Sequence, residues 1–133
     1  MTKIAVIGSR TFSNYPQFCK IMHKLISSYD NQVELISGGA DGADSMAKQF
    51  SEEFYINIDV FPAEWDKYGK SAGYRRNHTI WENSDIGIAF WDGKSKGTAH
   101  SFDIAKSQKK TLYVFNYLTN KWIKSWHSAH IVL

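Results

Sequence analysis

Three short stretches hold the residue types best suited to chemistry. Gly8-Ser9-Arg10 closes an apolar run, Gly38-Gly39-Ala40-Asp41-Gly42 closes a second, and Asp92-Gly93 with Gly97-Thr98 follows a later one. Each stretch lies between a strand-like run and a helical pattern. In a parallel sheet, turns of this kind share one edge. Glycine lets the backbone approach a ligand closely. A helix N-terminus that follows points N–H groups and a positive dipole end at an anion. Two such ends, at Gly42 and Thr98, are expected to converge on one cleft, and the expected ligand carries phosphate. Arg10 and one of Arg75 and Arg76 can add guanidinium forks. The two adjacent arginines lie in a helical pattern, where neighbours point about 100° apart, so one of them faces solvent.

The carboxylates and imidazoles read less sharply. Asp41 is placed to cap the second helix and Asp44 to favour its first turn. His100 reads as polar surface, and the five histidines show no metal-ligand spacing. The turns are not a Walker A loop, because no Gly-Lys-Ser/Thr follows, and Gly8-Ser9-Arg10 is not a dinucleotide fingerprint.

The elements that must position these turns alternate. Lys3–Gly8, Val33–Ser37, Ile56–Phe61, Asp85–Trp91 and Thr111–Phe115 read as five strands. Their runs alternate little, which suits strands buried on both faces. Phe18, Ile21, Met22, Leu25, Ile26 and Tyr29 form one helical stripe, with Pro16 near its start. Ala43, Met46, Ala47, Phe50 and Phe54 form another. Residues 62–73 read as a loop, and residues 71–83 and 98–107 as helices. Residues 116–133 are open between an edge strand and a docked tail. The alternation implies βαβ units, an open and mainly parallel sheet of about five strands, and helices on both faces. In such sheets a ligand sits at the carboxyl ends of the strands, where strand order reverses.

Bulk composition is consistent with one domain over residues 1–133. The 133 residues are 43% hydrophobic and 22% charged, close to ordinary globular usage. No apolar run of 18 residues appears, so no spanning helix is expected, and the N-terminus reads as a strand rather than a signal peptide. The single cysteine, Cys19, excludes an internal disulfide, and a cytoplasmic location is expected. The net charge of +3 averages two unlike halves. Residues 1–66 hold five Lys/Arg and nine Asp/Glu, and residues 67–133 hold eleven and four. The basic half points to an anionic partner.

In chain order, Gly8-Ser9-Arg10, Ser37-Gly38-Gly39-Ala40-Asp41-Gly42-Ala43-Asp44, Arg76-Asn77 and Asp92-Gly93-Lys94-Ser95-Lys96-Gly97-Thr98 resemble the SLOG superfamily. This is the Rossmann-like group that includes the LOG phosphoribohydrolases, and the likeness is strongest to its small single-domain branch related to YspA and YpsA. The resemblance spans about residues 1–116. It implies a Rossmann-like three-layer αβα sandwich that binds nucleotides or nucleotide-derived ligands. It also sets Arg76-Asn77 where LOG enzymes carry Arg-Lys, which makes Arg76 the one candidate catalytic residue. Ser101 stands where those enzymes carry a glutamate. A serine there neither stabilises an oxocarbenium-like state nor activates water at neutral pH.

The expected function is therefore binding of a nucleotide or ADP-ribose-like ligand, as a sensor or sponge of a signalling nucleotide. Backbone N–H groups near Gly8–Arg10, Gly39–Gly42 and Gly97–Thr98 would hold phosphates. Arg10 and Arg76 would neutralise charge. Asp41 or Asp92 would accept from ribose hydroxyls, and an aromatic from the Trp65–Tyr74 segment would stack on the base. Two alternatives stand beside it, a LOG-like N-glycosidase acting on nucleoside 5′-monophosphates and a single-stranded nucleic-acid binder. No cofactor, metal or membrane partner is expected. A homo-oligomer is expected from the resemblance.

Overall fold

The computed structural model describes residues 1–29 and 32–123. Strands β1 (Thr2–Gly8), β2 (Val33–Ser37), β3 (Ile58–Val60), β4 (Ile86–Trp91), β5 (Thr111–Asn116) and β6 (Lys121–Ile123) form one sheet in the order β3-β2-β1-β4-β5-β6. The first five strands run parallel and β6 is antiparallel to β5. Helices α1 (Tyr15–Ile26) and α2 (Ala43–Phe54) connect the β1-β2-β3 half. The short α3 (Trp65–Tyr68), a 3₁₀ turn at Gly69–Ser71 and α4 (Ala72–Glu82) lead into β4, and α5 (Lys96–Ser107) joins β4 to β5.

The strands carry apolar side chains on both faces because both faces are covered. Ile4, Val6, Leu35, Ile88 and Phe90 pack with Phe18, Met22 and Leu25 of α1 and with Ala47 and Phe50 of α2. On the other face, Ile7, Ala89, Leu112 and Val114 pack with Trp81 of α4 and with Phe102, Ile104 and Ala105 of α5. Ala5 and Ile36 meet Ile80 there as well. Truncating a fully buried ring such as Phe18 would cost about 3–5 kcal/mol.

Several expectations need adjustment. The sheet has six strands, because Lys121–Ile123 pairs with the end of β5. Residues 62–73 are not a loop throughout, since α3 and the 3₁₀ turn lie within them. The third strand is confined to Ile58–Val60. Helix α5 begins at Lys96, two residues before the expected start. Asp41 does not cap α2. The N-cap is Gly42, at φ 74° and ψ −126°, with no side-chain cap bond. A β-carbon at Gly42 would strike the Ser9–Arg10 backbone. The start of α2 is therefore pressed against the loop after β1, an approach that only glycine allows. The remainder of the 116–133 stretch, residues 124–133, falls outside the described residues.

Candidate functional site

Strand order reverses between β1 and β4, which are neighbours with Gly8 opposite Phe90. A cleft of about 490 Å³ opens at their carboxyl ends. This is where an open parallel sheet leaves room for a ligand, because the connections from β1 and β4 leave toward opposite faces. Ile7 and Gly8 line it from β1, and Ser9, Arg10 and Thr11 from the loop that follows. Ala40 and Asp44 line it from the β2–α2 connection, and Gly73, Tyr74, Arg76, Asn77 and Ile80 from α4. Asp92, Ser95, Lys96, Gly97, Thr98 and Ser101 line it from the end of β4 and α5, and Trp65 and Lys70 complete it. Gly38, Gly39, Asp41 and Gly42 shape the second turn without lining the cleft.

The second turn is organised from within. The Gly39 N–H donates to Ser37 Oγ at 3.3 Å, and the Ala40 N–H donates to Asp44 Oδ2 at 3.1 Å. The chain's own oxygens thus occupy two N–H groups expected to hold ligand phosphate. Asp44 itself is buried, and burial raises its carboxyl to about 6. The Ala40 N–H and the Arg76 and Arg10 guanidiniums pull in the opposite direction. Asp41 is exposed.

Arg76 reaches from α4 across to β2. Its Nη1 donates to the Gly38 carbonyl oxygen at 2.9 Å, and its buried Nε has no partner among the described residues. A β-carbon at residue 38 would collide with the guanidinium, so Gly38 leaves the space that Arg76 occupies. Arg75 is the arginine turned away. It stacks on Tyr68 with its Cζ 4.3 Å from the ring centre, and its Nε donates to Ser71 Oγ.

The third turn is built on Asp92. Its Oδ1 accepts from the Lys94 and Ser95 N–H groups, both at 2.8 Å, and its Oδ2 accepts from Ser95 Oγ at 3.0 Å. Ser9 Oγ accepts the Asp92 N–H at 3.1 Å and lies 3.1 Å from Ser95 Oγ, which fastens this turn to the end of β1. Burial acts to raise the Asp92 carboxyl, but these hydrogen bonds prevail and hold it below the ordinary carboxylate range. Asp92 therefore organises the approach to α5, with Oδ1 already doubly occupied.

Beyond that turn, the first N–H groups of α5 have no intrahelical acceptor, and the N-cap Ser95 side chain makes no cap bond to them. Gly97 and the buried Thr98 stand there on the cleft wall. Asn77 fixes this helix end to α4. Its Nδ2 donates to the Gly97 carbonyl oxygen at 3.3 Å and lies 3.2 Å from His100 Nδ1. His100 is not simple polar surface. Its ring meets Tyr74 edge-on at 4.5 Å and His78 at 5.4 Å. Burial and the neighbouring His78 lower its basicity against the opposing pull of Asp103.

At the mouth, Trp65 and Tyr74 are each half exposed, beside Lys70 and Lys96. Ser101 is buried on the wall, and the carboxylates that line the cleft are Asp44 and Asp92. Sequence reasoning missed the Ser9–Asp92–Ser95 network, although Asp-Gly-x-Ser is a recognisable signal for an aspartate that binds its own turn. Among the described residues no group of His, Cys, Asp and Glu is arranged to hold a metal, and no helix is long and apolar enough to cross a membrane.

The family described as the YspA, cpYpsA-related SLOG family matches residues 2–68. The chain is 27% identical over 123 residues to Gene 61 protein of Mycobacterium phage D29, covering 88% of this chain and 97% of that protein. Among solved structures it is similar to DNA processing protein A from Helicobacter pylori, whose single-stranded DNA binding mode is described. The TM-score is 0.61 and the identity 21%, covering 86% of this chain. The chain spans 65% of the length of that solved chain, and the likeness is one of fold.

Proposed function

Since the chain belongs to the YspA, cpYpsA-related SLOG family, we propose that the cleft between β1 and β4 binds a nucleotide or nucleotide-derived ligand through its phosphate. One observation carries this reading. Arg76, with a buried Nε that no group among the described residues satisfies, faces the same cleft as Arg10 and the start of α5, which has no side-chain cap bond there. Two guanidiniums and a helix N-terminus converging on one cavity favour an anion. The cavity volume lies in the range usual for small-molecule sites. Trp65 and Tyr74 offer flat, half-exposed faces at the mouth for a base. Ser101 in place of a carboxylate, and Asp92 tied into its own turn, support binding over N-glycosidic cleavage.

The test is direct. Small molecules released from the purified protein by denaturation are identified by mass spectrometry, and ADP-ribose and nucleoside phosphates are titrated calorimetrically. A retained or titrating nucleotide is expected. Arg76→Ala should weaken it at least tenfold, about 1.4 kcal/mol. No retained nucleotide and no binding by any of them would sink the reading.

A second reading is single-stranded nucleic-acid binding. The H. pylori protein of similar fold is described as binding single-stranded DNA, and Lys70 and Lys96 line the cleft beside the two exposed rings. Affinity for an oligonucleotide that falls steeply with salt, with none for free nucleotides, would favour it.

A further inference from the structure

Taken as a phosphate site, the cleft has one wall that runs against its purpose. Asp44 is only 8% exposed and lines the cavity together with Arg10 and Arg76. A neutral asparagine could accept the same Ala40 N–H bond that Asp44 Oδ2 accepts, without the cost of burying a charge. Arg10 in the β1–α1 loop and Arg76 in α4 favour the ionised carboxylate. Asp92 from the β4–α5 connection, Lys96 from the start of α5 and Lys70 from the turn before α4 line the same cavity.

Resting on the nucleotide reading above, we propose that Asp44 makes the cleft select its ligand by phosphate charge. It favours a phosphate esterified on both sides, with one negative charge, over a terminal phosphomonoester, which is a dianion at neutral pH. A phosphodiester between two sugars is of the favoured class, and a diphosphate bridge shares its one charge per phosphorus. The physical reason is repulsion between Asp44 and the second charge of a terminal phosphate in a site partly shielded from water. Burial already leaves the Asp44 carboxyl at about 6. An arriving dianion would raise it further and draw in a proton, at a cost to affinity that grows with pH.

Adenosine 5′-monophosphate and its 5′-methyl ester share a base and a ribose and differ by one charge. Near pH 7.5, calorimetry should find the methyl ester bound about tenfold more tightly by the wild-type protein. Binding of the monophosphate should take up a proton, read by comparing buffers of different ionisation enthalpy. In Asp44→Asn, and in Asp44→Ser as a second neutral variant, the preference should shrink to about twofold or less. Proton uptake should fall with it. Wild-type protein that binds the monophosphate as tightly as the ester overturns the inference, as does a preference that survives in both variants. If neither adenosine ligand nor ADP-ribose binds the wild type at all, the nucleotide reading itself fails, a result distinct from binding without preference.

Discussion

Arg76 Nη1 donates to the carbonyl oxygen of Gly38 at 2.9 Å, and the guanidinium fills the space a side chain at residue 38 would need. The contact joins α4 to the end of β2. It holds one end of the guanidinium in place, while the buried Nε has no partner among the described residues. An arginine fixed in this way loses little freedom when an anion arrives.

Gly38→Ala should therefore act through Arg76. Gly38 does not have a positive φ, so alanine fits the backbone and the conflict is with the guanidinium alone. Ligand affinity is expected to fall about tenfold or more in Gly38→Ala, and similarly in Arg76→Ala. The double variant should be hardly worse than Arg76→Ala alone, because the two changes remove one interaction. Additive losses in the calorimetric cycle would show that Gly38 acts independently.

How much of this was legible in the sequence follows from what each feature depends on. The strands and the helical stripes are local patterns, and Phe18, Met22 and Leu25 are buried as their spacing implies. The switch point follows from strand order, which family resemblance and βαβ handedness constrain together. What the glycine turns do was less legible. Both Asp41 and Asp92 are aspartates beside glycine, yet Asp41 is exposed while Asp92 binds its own turn. The difference is largely local, since Asp92 has a serine three residues on whose N–H it accepts, while Ser9, 83 residues away, fastens the finished turn to the end of β1. Asp44 lies near Arg76 because α4 packs back over β2, and near Arg10 because the start of α2 is pressed against the loop after β1. No local pattern carries that information.

The Asp92 turn should be a structural weak point. Asp92→Ala leaves the Lys94 and Ser95 N–H groups without their acceptor. A loss of about 1–2 kcal/mol is expected in denaturant unfolding. The sign with pH follows from the lowered carboxyl. A carboxyl depressed on folding contributes stability above its unfolded value, near 4, and loses it as pH falls through the folded value. The gap between wild type and Asp92→Ala should therefore narrow as the medium is made more acid than about pH 4.

Asp44 should behave in the opposite sense. Its folded carboxyl lies near 6, above the ordinary 3.8. A carboxyl raised on folding gives its full contribution below the unfolded value and loses it as pH rises through the folded one. Ionising Asp44 thus costs on the order of 2–3 kcal/mol at neutral pH. Asp44→Asn is expected to melt a few degrees higher than wild type near pH 7.5. The difference should fade toward about pH 4, where both side chains are neutral. A variant less stable at both pH values would mean that the carboxylate contributes more than its charge costs.

Trp65 and Tyr74 separate base from phosphate recognition. Both line the mouth and are half exposed, and Trp65 packs over Gly73, where a β-carbon would lie 3.4 Å from its ring. If a base stacks there, Trp65→Ala should cost a nucleoside-bearing ligand about 1–3 kcal/mol. Ribose 5-phosphate, which has no base to stack, should lose almost nothing. An equal loss for both ligands would mean that the ring shapes the phosphate site instead.

The sharpest separation of fold from function lies at Gly97. It stands on the cleft wall in the first turn of α5. A β-carbon there meets no atom of the described residues within 4 Å, and its φ is not positive. A side chain at this position therefore projects into space without straining the helix. An acidic residue in the first turn of a helix is, if anything, favourable for the helix itself. Gly97→Asp should thus melt at or above the wild-type temperature, while its carboxylate occupies the helix end and repels an incoming phosphate. Affinity should fall more than tenfold. Gly97→Asn, of nearly the same shape but neutral, should lose clearly less. Equal losses in the two variants would assign the effect to bulk, and unchanged affinity in both would remove the start of α5 from the ligand site.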